Sequence, residues 1–386
     1  MKDYTLSLQH VANFLIIICL SFFIIIVGKS ILIPIAFAVL FAFTLRPVCA
    51  WYERFLPGRM LSTVLALFTL ILPIAGLITF FSWQSVDVFR DFGSIGGKLM
   101  EGFDKLFIWG NKQFSFTDQS SEEWLGEHIQ PILSGPIGAL GRSIASTTAI
   151  LANVALTLIY TFFLLLYRSA FKNFLLIQFR ENHRDQAQRM IIQVQKVTQG
   201  YLYGLLVVIS ILGFTSSIGM WIIGVPVPFF WGFLAAFLAI IPYIGTFLGG
   251  FLPFVYMFAV SDNIWQPIAV AGLFMSIQFI DNNFITPNVV GSSVKVNPFA
   301  AIVALIVGGS VWGVAGLILS IPVVAILKEI FDQISFLKPV GLLLSSEIYT
   351  RDKVLVRRFD KDHYRLMAFF KKDKISENVG SNGEQI

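Results

Sequence analysis

Between Tyr201 and Leu327 the sequence contains only three charged side chains, Asp262, Asp281 and Lys295. Over all 386 residues, 13% are charged and 56% are hydrophobic, whereas soluble domains carry about 25% charged residues. A water-soluble fold is therefore excluded. Because backbone polar groups must be satisfied internally in lipid, an apolar chain of this kind crosses the bilayer as helices. The sequence predicts an all-α polytopic membrane protein.

Several apolar runs have about the length that a bilayer-spanning helix needs, roughly 20 residues. The first run is followed by a second apolar run rather than by an A-x-A-like cleavage site, so we interpret it as a retained span and not as a signal peptide. The predicted regular spans are Val11–Val27, Ile31–Leu45, Leu61–Phe81, Ala149–Tyr167, Leu202–Ile223 and Ile264–Ile280.

The distribution of charge predicts how the chain is oriented. The loops at 46–60 and 168–200 are basic, whereas residues 83–145 carry eight acids and five bases. Because cytoplasmic loops are enriched in Lys and Arg, we expect both termini to be cytoplasmic and the acidic loop to be extracytoplasmic. The net charge of +5 is an orientation signal and does not indicate nucleic-acid binding.

These features divide the chain into five segments. Apolar residues recur every three or four positions in the acidic loop, which predicts an amphipathic helical segment. The predicted segments are 1–82 with three transmembrane helices, 83–146 as the extracytoplasmic amphipathic segment, 147–200 with the fourth helix and a cytoplasmic amphipathic connector, 201–330 as the transport core, and 331–386 as a cytoplasmic polar tail.

Two apolar stretches in the transport core do not fit a single straight span. Residues 229–260 are interrupted by "IPYIGTFLGGFLP", and residues 300–327 by "GGSVWGVAG". We expect each stretch to be a broken or re-entrant helical hairpin lining a substrate or ion site, as in secondary transporters; the alternative is that the glycines only permit close helix packing. The candidate residues are Pro242, Gly245, Gly249, Pro253, Gly308, Gly309, Gly313 and Gly316.

A polar segment, "DNNFITPNVVGSSVKVNP", lies between these stretches. Gln278, Asp281 and Asn282 have helical spacing at its start, and a buried charge in lipid costs at least ~2.5–3.5 kcal/mol. Asp281 therefore indicates a wet cavity, an ion or a proton, unless it lies at the solvated interface. We expect Pro287 and Pro298 to end helices and Gly291 to permit a turn. Lys295 either pairs with Asp281 or extends to lipid headgroups.

The segment from "QFIDNNFITPNVVG" to "GGSVWGVAGLILSIPVVAIL" resembles the signature region of the autoinducer-2 exporter family, also called PerM-like permeases. "IPYIGTFLGGFLP" is similar to another segment of that family. The resemblance implies about eight membrane segments, homo-oligomeric assembly, a bacterial inner-membrane location and export of small solutes; some members are linked to sodium/proton exchange. At the position before Pro298, where the family usually has histidine, this chain has Asn297, and Asn cannot titrate near neutral pH.

The favoured hypothesis is a secondary exporter of a small polar solute, with Asp281, Gln278, Asn282, Pro287, Gly291 and Asn297 as binding candidates beside the broken helices. The alternative is a cation/proton antiporter that uses Asp281, with sodium or a proton as the bound ion. No Walker A, H-E-x-x-H or G-x-S-x-G motif is present, so we expect no enzyme activity, no metal and no cofactor. A non-transporting membrane scaffold is a further possibility.

Overall fold

The computed structural model describes residues 8–84, 147–241, 244–261, 263–291, 294–334 and 337–346. Most of the predicted amphipathic segment, the tail after Ser346 and Pro242 lie outside the described residues. Within those ranges the chain is almost entirely helical, and the β pairing is limited to one isolated antiparallel bridge between Val296 and Ser345.

Five of the described helices are long and apolar enough to cross a membrane, or six if the bent pair α4–α5 counts as one span. The prediction of an all-α polytopic membrane protein is confirmed. The helices are α1 (Leu8–Val27), α2 (Lys29–Tyr52), α3 (Arg59–Gln84), α4 (Thr147–Leu166), α5 (Arg168–Ile177), α6 (Glu181–Ile223), α7 (Pro228–Leu238), α8 (Ile244–Val260), α9 (Trp265–Ile280), α10 (Thr286–Val289), α11 (Pro298–Gln333) and α12 (Lys338–Leu344).

The chain forms two compact units. The first unit contains the residues before Pro34, Leu176–Val194 and the residues from Lys295 onward; the second contains Pro34–Leu175 and Gln195–Val294. The boundary between Val194 and Gln195 falls inside helix α6, so this helix contributes residues to both units. Its 43 residues contain no proline that would interrupt it. The predicted cytoplasmic connector and the predicted fifth span thus continue into one another within this helix.

In the second unit, α7 and α8 form the first expected hairpin. The two helices pack so closely that a Cβ on Gly245 would lie 1.5 Å from the carbonyl oxygen of Leu238, and a Cβ on Gly249 would lie 3.0 Å from Ala235. Further from the connection, the rings of Trp231 and Tyr256 are 4.9 Å apart. The hairpin thus depends on glycines that permit close packing of its two helices.

In the first unit, α11 is the second expected hairpin. Gly313 has φ 59° and ψ −135°, outside the helical region, which glycine tolerates better than residues with a Cβ. Beyond it the chain doubles back: Ser320 Oγ lies 2.8 Å from the carbonyl oxygen of Ala304, sixteen residues earlier. A Cβ on Gly316 would lie 1.8 Å from the carbonyl oxygen of Gly308, so the two halves touch through their backbones.

Helix packing in the second unit combines large apolar side chains with small residues on the facing helix. Gly232 of α7 faces Ser217 of α6, and Gly219 of α6 faces Leu273 of α9. Lipid tails offer no hydrophobic driving force for helix association, so this close packing stabilises the unit. The largest buried cluster consists of Met220, Val225, Phe230, Trp231, Tyr256, Met257, Ala259 and Val270.

A proline in α2 determines how α2 attaches to α6. Pro47 has no N–H, so the carbonyl of Phe43, four residues earlier, loses its helical hydrogen bond. Gln199 of α6 supplies the missing donor, with Nε2 2.7 Å from that carbonyl oxygen. One turn along α6, the hydroxyl of Tyr203 donates to the carbonyl of Thr44 at 2.7 Å. The backbone groups that Pro47 exposes are thus satisfied by a neighbouring helix.

We expect Gly316→Ala to lower the thermal unfolding midpoint of the detergent-purified protein, because the new methyl group meets the Gly308 carbonyl. Overpacking of this kind costs about 1–3 kcal/mol. Gly272→Ala is the matched control, since a Cβ there meets nothing within 4 Å and alanine favours a helix. Equal midpoints for the two variants would contradict the close approach in α11.

We expect Gln199→Leu to destabilise the protein by about 1–3 kcal/mol, the cost of a buried acceptor without a partner. The same change should cost much less in a Pro47→Ala background, because the introduced alanine has the backbone N–H that the Phe43 carbonyl needs. Thermal unfolding of the wild type, both single variants and the double variant gives the coupling free energy between Gln199 and Pro47. A coupling near zero would show that Gln199 does not compensate for Pro47.

Candidate functional site

Asp281 is buried, whereas the three residues after it are exposed. Its relative exposure is 7%, and it begins the π turn Asp281–Ile285, in which the N–H of Thr286 bonds to the carbonyl of Asp281 five residues earlier. A π turn inside a helix is rare and is frequently found at functional sites. This turn carries the apolar helix α9 onward into the polar segment, where the sequence predicts an interruption.

The carboxylate of Asp281 is held by a residue that directly follows the turn. The hydroxyl of Thr286 donates to Asp281 Oδ1 at 2.7 Å, a contact that the five-residue repeat of the π turn brings within reach. Among the described residues of the second unit, Asp281 forms no ion pair with a lysine or arginine. A buried carboxylate with a hydroxyl partner and no cation is available to bind a further hydrogen-bond donor or a positive charge.

A small cavity lies against Asp281. It offers about 30 Å³ to water-sized molecules, and one ordered water needs about 10–15 Å³ by the same measure. The cavity therefore holds about two waters or an ion of similar size, far less than the 300–1,000 Å³ of a typical small-molecule site. Its walls are Leu212, Ser216, Ala235, Ala236, Ala239, Thr246, Gly249, Phe274, Ile277, Gln278 and Asp281.

The cavity is lined by oxygen-bearing groups and contains no cationic side chain. Asp281 contributes a carboxylate, Gln278 an amide, and Ser216 and Thr246 hydroxyl groups. Pro253 lies fully buried in α8 and cannot donate to the carbonyl of Gly249, which belongs to the cavity wall. Such a set suits water, a monovalent cation or the hydroxyl groups of a neutral solute, and it opposes a free anion.

Several predicted site residues meet in the second unit. Gln278 and Asn282 share a helix face, as their spacing predicts: Gln278 Nε2 donates to Asn282 Oδ1 at 2.9 Å. Gln278 reaches the cavity, while Asn282 is exposed. Gly249 lies in the wall, and Gly245 packs behind it against Leu238.

The expectation that Pro287 and Pro298 end helices is wrong. Pro298 lies in the first turn of α11, where the absence of an N–H has no cost. Pro287 lies in α10, which continues α9 through the π turn as one helix to Val289, so neither proline stops the helix that contains it. Pro287 and Gly291 are exposed, and the N–H of Gly291 bonds to the carbonyl of Thr286 at 3.1 Å. These two residues shape the end of α10 and do not line the cavity.

The remaining candidates belong to the first unit. Asn297 caps α11, because its side-chain oxygen accepts from the N–H of Ala300 at 2.7 Å, and its Nδ2 donates to the carbonyl of Leu343. Lys295 is exposed. The α11 hairpin described above contains the four glycine candidates Gly308, Gly309, Gly313 and Gly316, of which Gly309 faces Leu317.

Three polar residues at the site are not among the candidate residues identified from the sequence. Ser216 and Thr246 line the cavity, and Thr286 holds Asp281. Ser216 lies in the short polar run "TSS" of α6, and Thr246 in the glycine-rich segment that the sequence already marks. Thr286 is five residues from Asp281, a separation that helical periodicity does not bring together, so only a π turn reveals it.

Comparisons with known proteins give transport proteins as relatives. YrrI of Bacillus subtilis (strain 168), designated a candidate transport protein, is 31% identical over 145 residues, 38% of this chain and 40% of YrrI. YueF of the same strain, similarly designated, is 25% identical over 232 residues, 59% of this chain and 61% of YueF. The matched segments therefore span less than two thirds of these relatives.

A further relative has a named substrate. The AI-2 transport protein TqsA of Escherichia coli (strain K12) is 27% identical over 117 residues, 30% of this chain and 34% of TqsA. The sequence pattern of the AI-2E family of transporters matches residues 14–336, which include every described span and the Asp281 cavity. The recognition made from the residues around Asp281 is confirmed, and the chain belongs to the AI-2E transporter family.

Proposed function

We propose that this membrane transporter is a secondary exporter of a small, polar, hydroxyl-rich solute of the AI-2 type, and that the cavity at Asp281 is part of its transport path. The observation that carries the proposal is a buried carboxylate, at a π turn, facing a cavity bounded by the α7–α8 hairpin. Membership of the AI-2E family supports the transport of a small molecule.

The cost of burying Asp281 supports a functional role. A carboxylate in the membrane costs at least ~2.5–3.5 kcal/mol, and a single hydroxyl from Thr286 offsets only about 1.5–3 kcal/mol of it. An apolar residue in the same position would avoid that cost. Ionisable residues inside membrane domains typically mark a substrate or ion pathway.

The chemistry of the cavity favours a neutral solute. Its amide and hydroxyl groups both donate and accept hydrogen bonds, which matches a compound with several hydroxyl groups. A strong anion is disfavoured because the cavity has a carboxylate and no lysine or arginine. Since the cavity has room for about two waters, the solute can bind only in a wider state, which alternating access requires in any case.

Both broken hairpins take part in the proposed mechanism. In the second unit, separation of α7 from α8 would widen the cavity beside Gly249. In the first unit, the α11 hairpin, capped by Asn297, provides the second discontinuous helix of the transport core. An inner-membrane location, cytoplasmic termini and homo-oligomeric assembly complete the proposal.

We expect Asp281→Asn to reduce export about tenfold or more, because the amide keeps the shape of the carboxylate but removes its negative charge. The measurement is solute accumulation in inside-out membrane vesicles or proteoliposomes, with AI-2 as the probe. Asp185→Asn is the matched control, since Asp185 is an exposed residue of α6 and should leave the rate unchanged.

Export by Asp281→Asn at the wild-type rate would refute the role of the carboxylate. The same proteoliposomes also test the alternative function. If an imposed sodium gradient moves protons and the solute is not transported, the protein is a cation/proton antiporter and the solute proposal is wrong.

We expect Thr286→Val to slow export about 10- to 150-fold, because valine keeps the volume of threonine but cannot donate to Asp281, and a hydrogen bond to a charged group contributes about 1.5–3 kcal/mol. Thr286→Ser retains the hydroxyl and should remain close to the wild type. Equal rates for the Val and Ser variants would show that Thr286 does not position the carboxylate.

A further inference from the structure

We propose that a groove on the surface of the second unit, between α2, α3 and α6, binds one anionic phospholipid. The groove has a volume of about 370 Å³ and is open to the outside. It is lined by Pro47, Val48, Trp51, Tyr52, Thr69 and Tyr203. It shares no residue with the Asp281 cavity, and the proposal does not depend on the proposed transport function.

The lining of the groove matches an amphiphile. Pro47, Val48 and Trp51 provide an apolar wall along α2, and two hydroxyl groups also line the groove: Tyr52 Oη at the end of α2 and Thr69 Oγ1 of α3, which lie 3.4 Å apart. The backbone beside Pro47 needs nothing from the groove, because the carbonyl that this proline exposes already has its donor in α6. An acyl chain fits the apolar wall. Thr69 Oγ1 already donates to the carbonyl of Leu65, so the hydroxyl oxygens of Thr69 and Tyr52 are acceptors for a glycerol hydroxyl of the lipid headgroup.

The position of the groove is that of a lipid headgroup region. Trp51 and Tyr52 end helix α2, and tryptophan and tyrosine are enriched where membrane helices leave the hydrocarbon. Trp51 is 53% exposed and Tyr203 is 40% exposed, so both rings are accessible from outside the helix bundle. Basic pockets between membrane helices on the cytoplasmic side are typical sites for anionic lipid headgroups.

The charge around the groove favours a phosphate over a neutral headgroup. Along the chain, Arg46 directly precedes the α2 residues that line the groove, Arg54 follows them, and Arg59 begins α3; all three are exposed, and none of them is itself a lining residue. The guanidinium of Arg46 donates to the side-chain amide oxygen of Gln195. Because this amide is neutral, the contact does not neutralise the positive charge of Arg46.

The only carboxylate between Arg46 and Arg59 cannot neutralise these arginines. Both oxygens of Glu53 lie 2.6 Å from Nη2 of Arg168, at the elbow between α4 and α5. With Glu53 engaged in that pair, the turn from α2 to α3 keeps an excess of positive charge. An anionic lipid combines the two features that the groove matches, an apolar chain and a negative headgroup.

The test is lipid binding to the full-length, detergent-purified protein, measured by native mass spectrometry with phosphatidylglycerol and phosphatidylcholine. We expect one tightly bound phosphatidylglycerol molecule and weaker binding of phosphatidylcholine. Each arginine near a membrane surface contributes roughly fivefold in affinity, equivalent to about 1 kcal/mol. Arg54→Gln combined with Arg59→Gln should therefore weaken phosphatidylglycerol binding about 25-fold and leave phosphatidylcholine binding nearly unchanged.

Two further variants test the groove itself. Val48→Trp on α2 and Thr69→Phe on α3 each fill it from one wall without changing charge, and either should displace both lipids. Thr69 is exposed, so its enlargement leaves the protein core intact even if Val48→Trp fails to fold.

Three results would overturn the proposal. The first is an equal loss of phosphatidylglycerol with the control pair Arg180→Gln and Arg189→Gln, two exposed arginines outside the groove, which would indicate diffuse attraction. The second is full binding by the groove-filling variants. The third is displacement by millimolar glycerol 3-phosphate, which has the headgroup but no chains and would indicate a site for a free anion.

Discussion

The need to satisfy every backbone polar group in lipid governs this structure. In water, a carbonyl released by proline or glycine finds a solvent partner; in hydrocarbon it has to find one in the protein. The chain meets this condition in different ways. Gln199 donates to the carbonyl that Pro47 exposes in α2, Ser320 bridges the two halves of α11, and Asn297 caps the start of that hairpin. At Gly249, whose carbonyl Pro253 leaves without a helical donor, the residue lies in the wall of the Asp281 cavity.

The same condition explains why the two hairpins could be predicted from the sequence. Glycine and proline within an apolar run show where a helix is broken, and Gly313 with its positive φ lies within the predicted tip. The interruption in "IPYIGTFLGGFLP" likewise contains the α7–α8 connection, and α8 begins at Ile244. Helix type and span order follow from composition alone, because lipid permits few alternatives.

Other features depend on local geometry that the sequence does not reveal. The span predicted from the sequence ends at Ile280, but the π turn extends the helix to Val289. Two polar side chains of the segment stabilise this helix: Asn283 donates to the carbonyl of Phe279, and Asn288 donates to the carbonyl of Phe284. The π turn also turns Asp281 inward and brings Thr286 to its carboxylate. The prediction for the prolines is wrong for a similar reason: Pro298 begins a helix, and the helix that contains Pro287 continues to Val289, a difference that the residue type alone does not reveal.

The contact between Gln199 and Phe43 also has a consequence for biogenesis. The two residues are 156 positions apart, and ribosomes add about 5–20 residues per second. For roughly 8 to 31 seconds after Phe43 is synthesised, its carbonyl has no Gln199 to bind. During that interval the nascent α2 must remain beside the insertion machinery or a water-filled vestibule. The hydrogen bond to the Phe43 carbonyl of α2 forms only when α6 has been synthesised and Gln199 is in place.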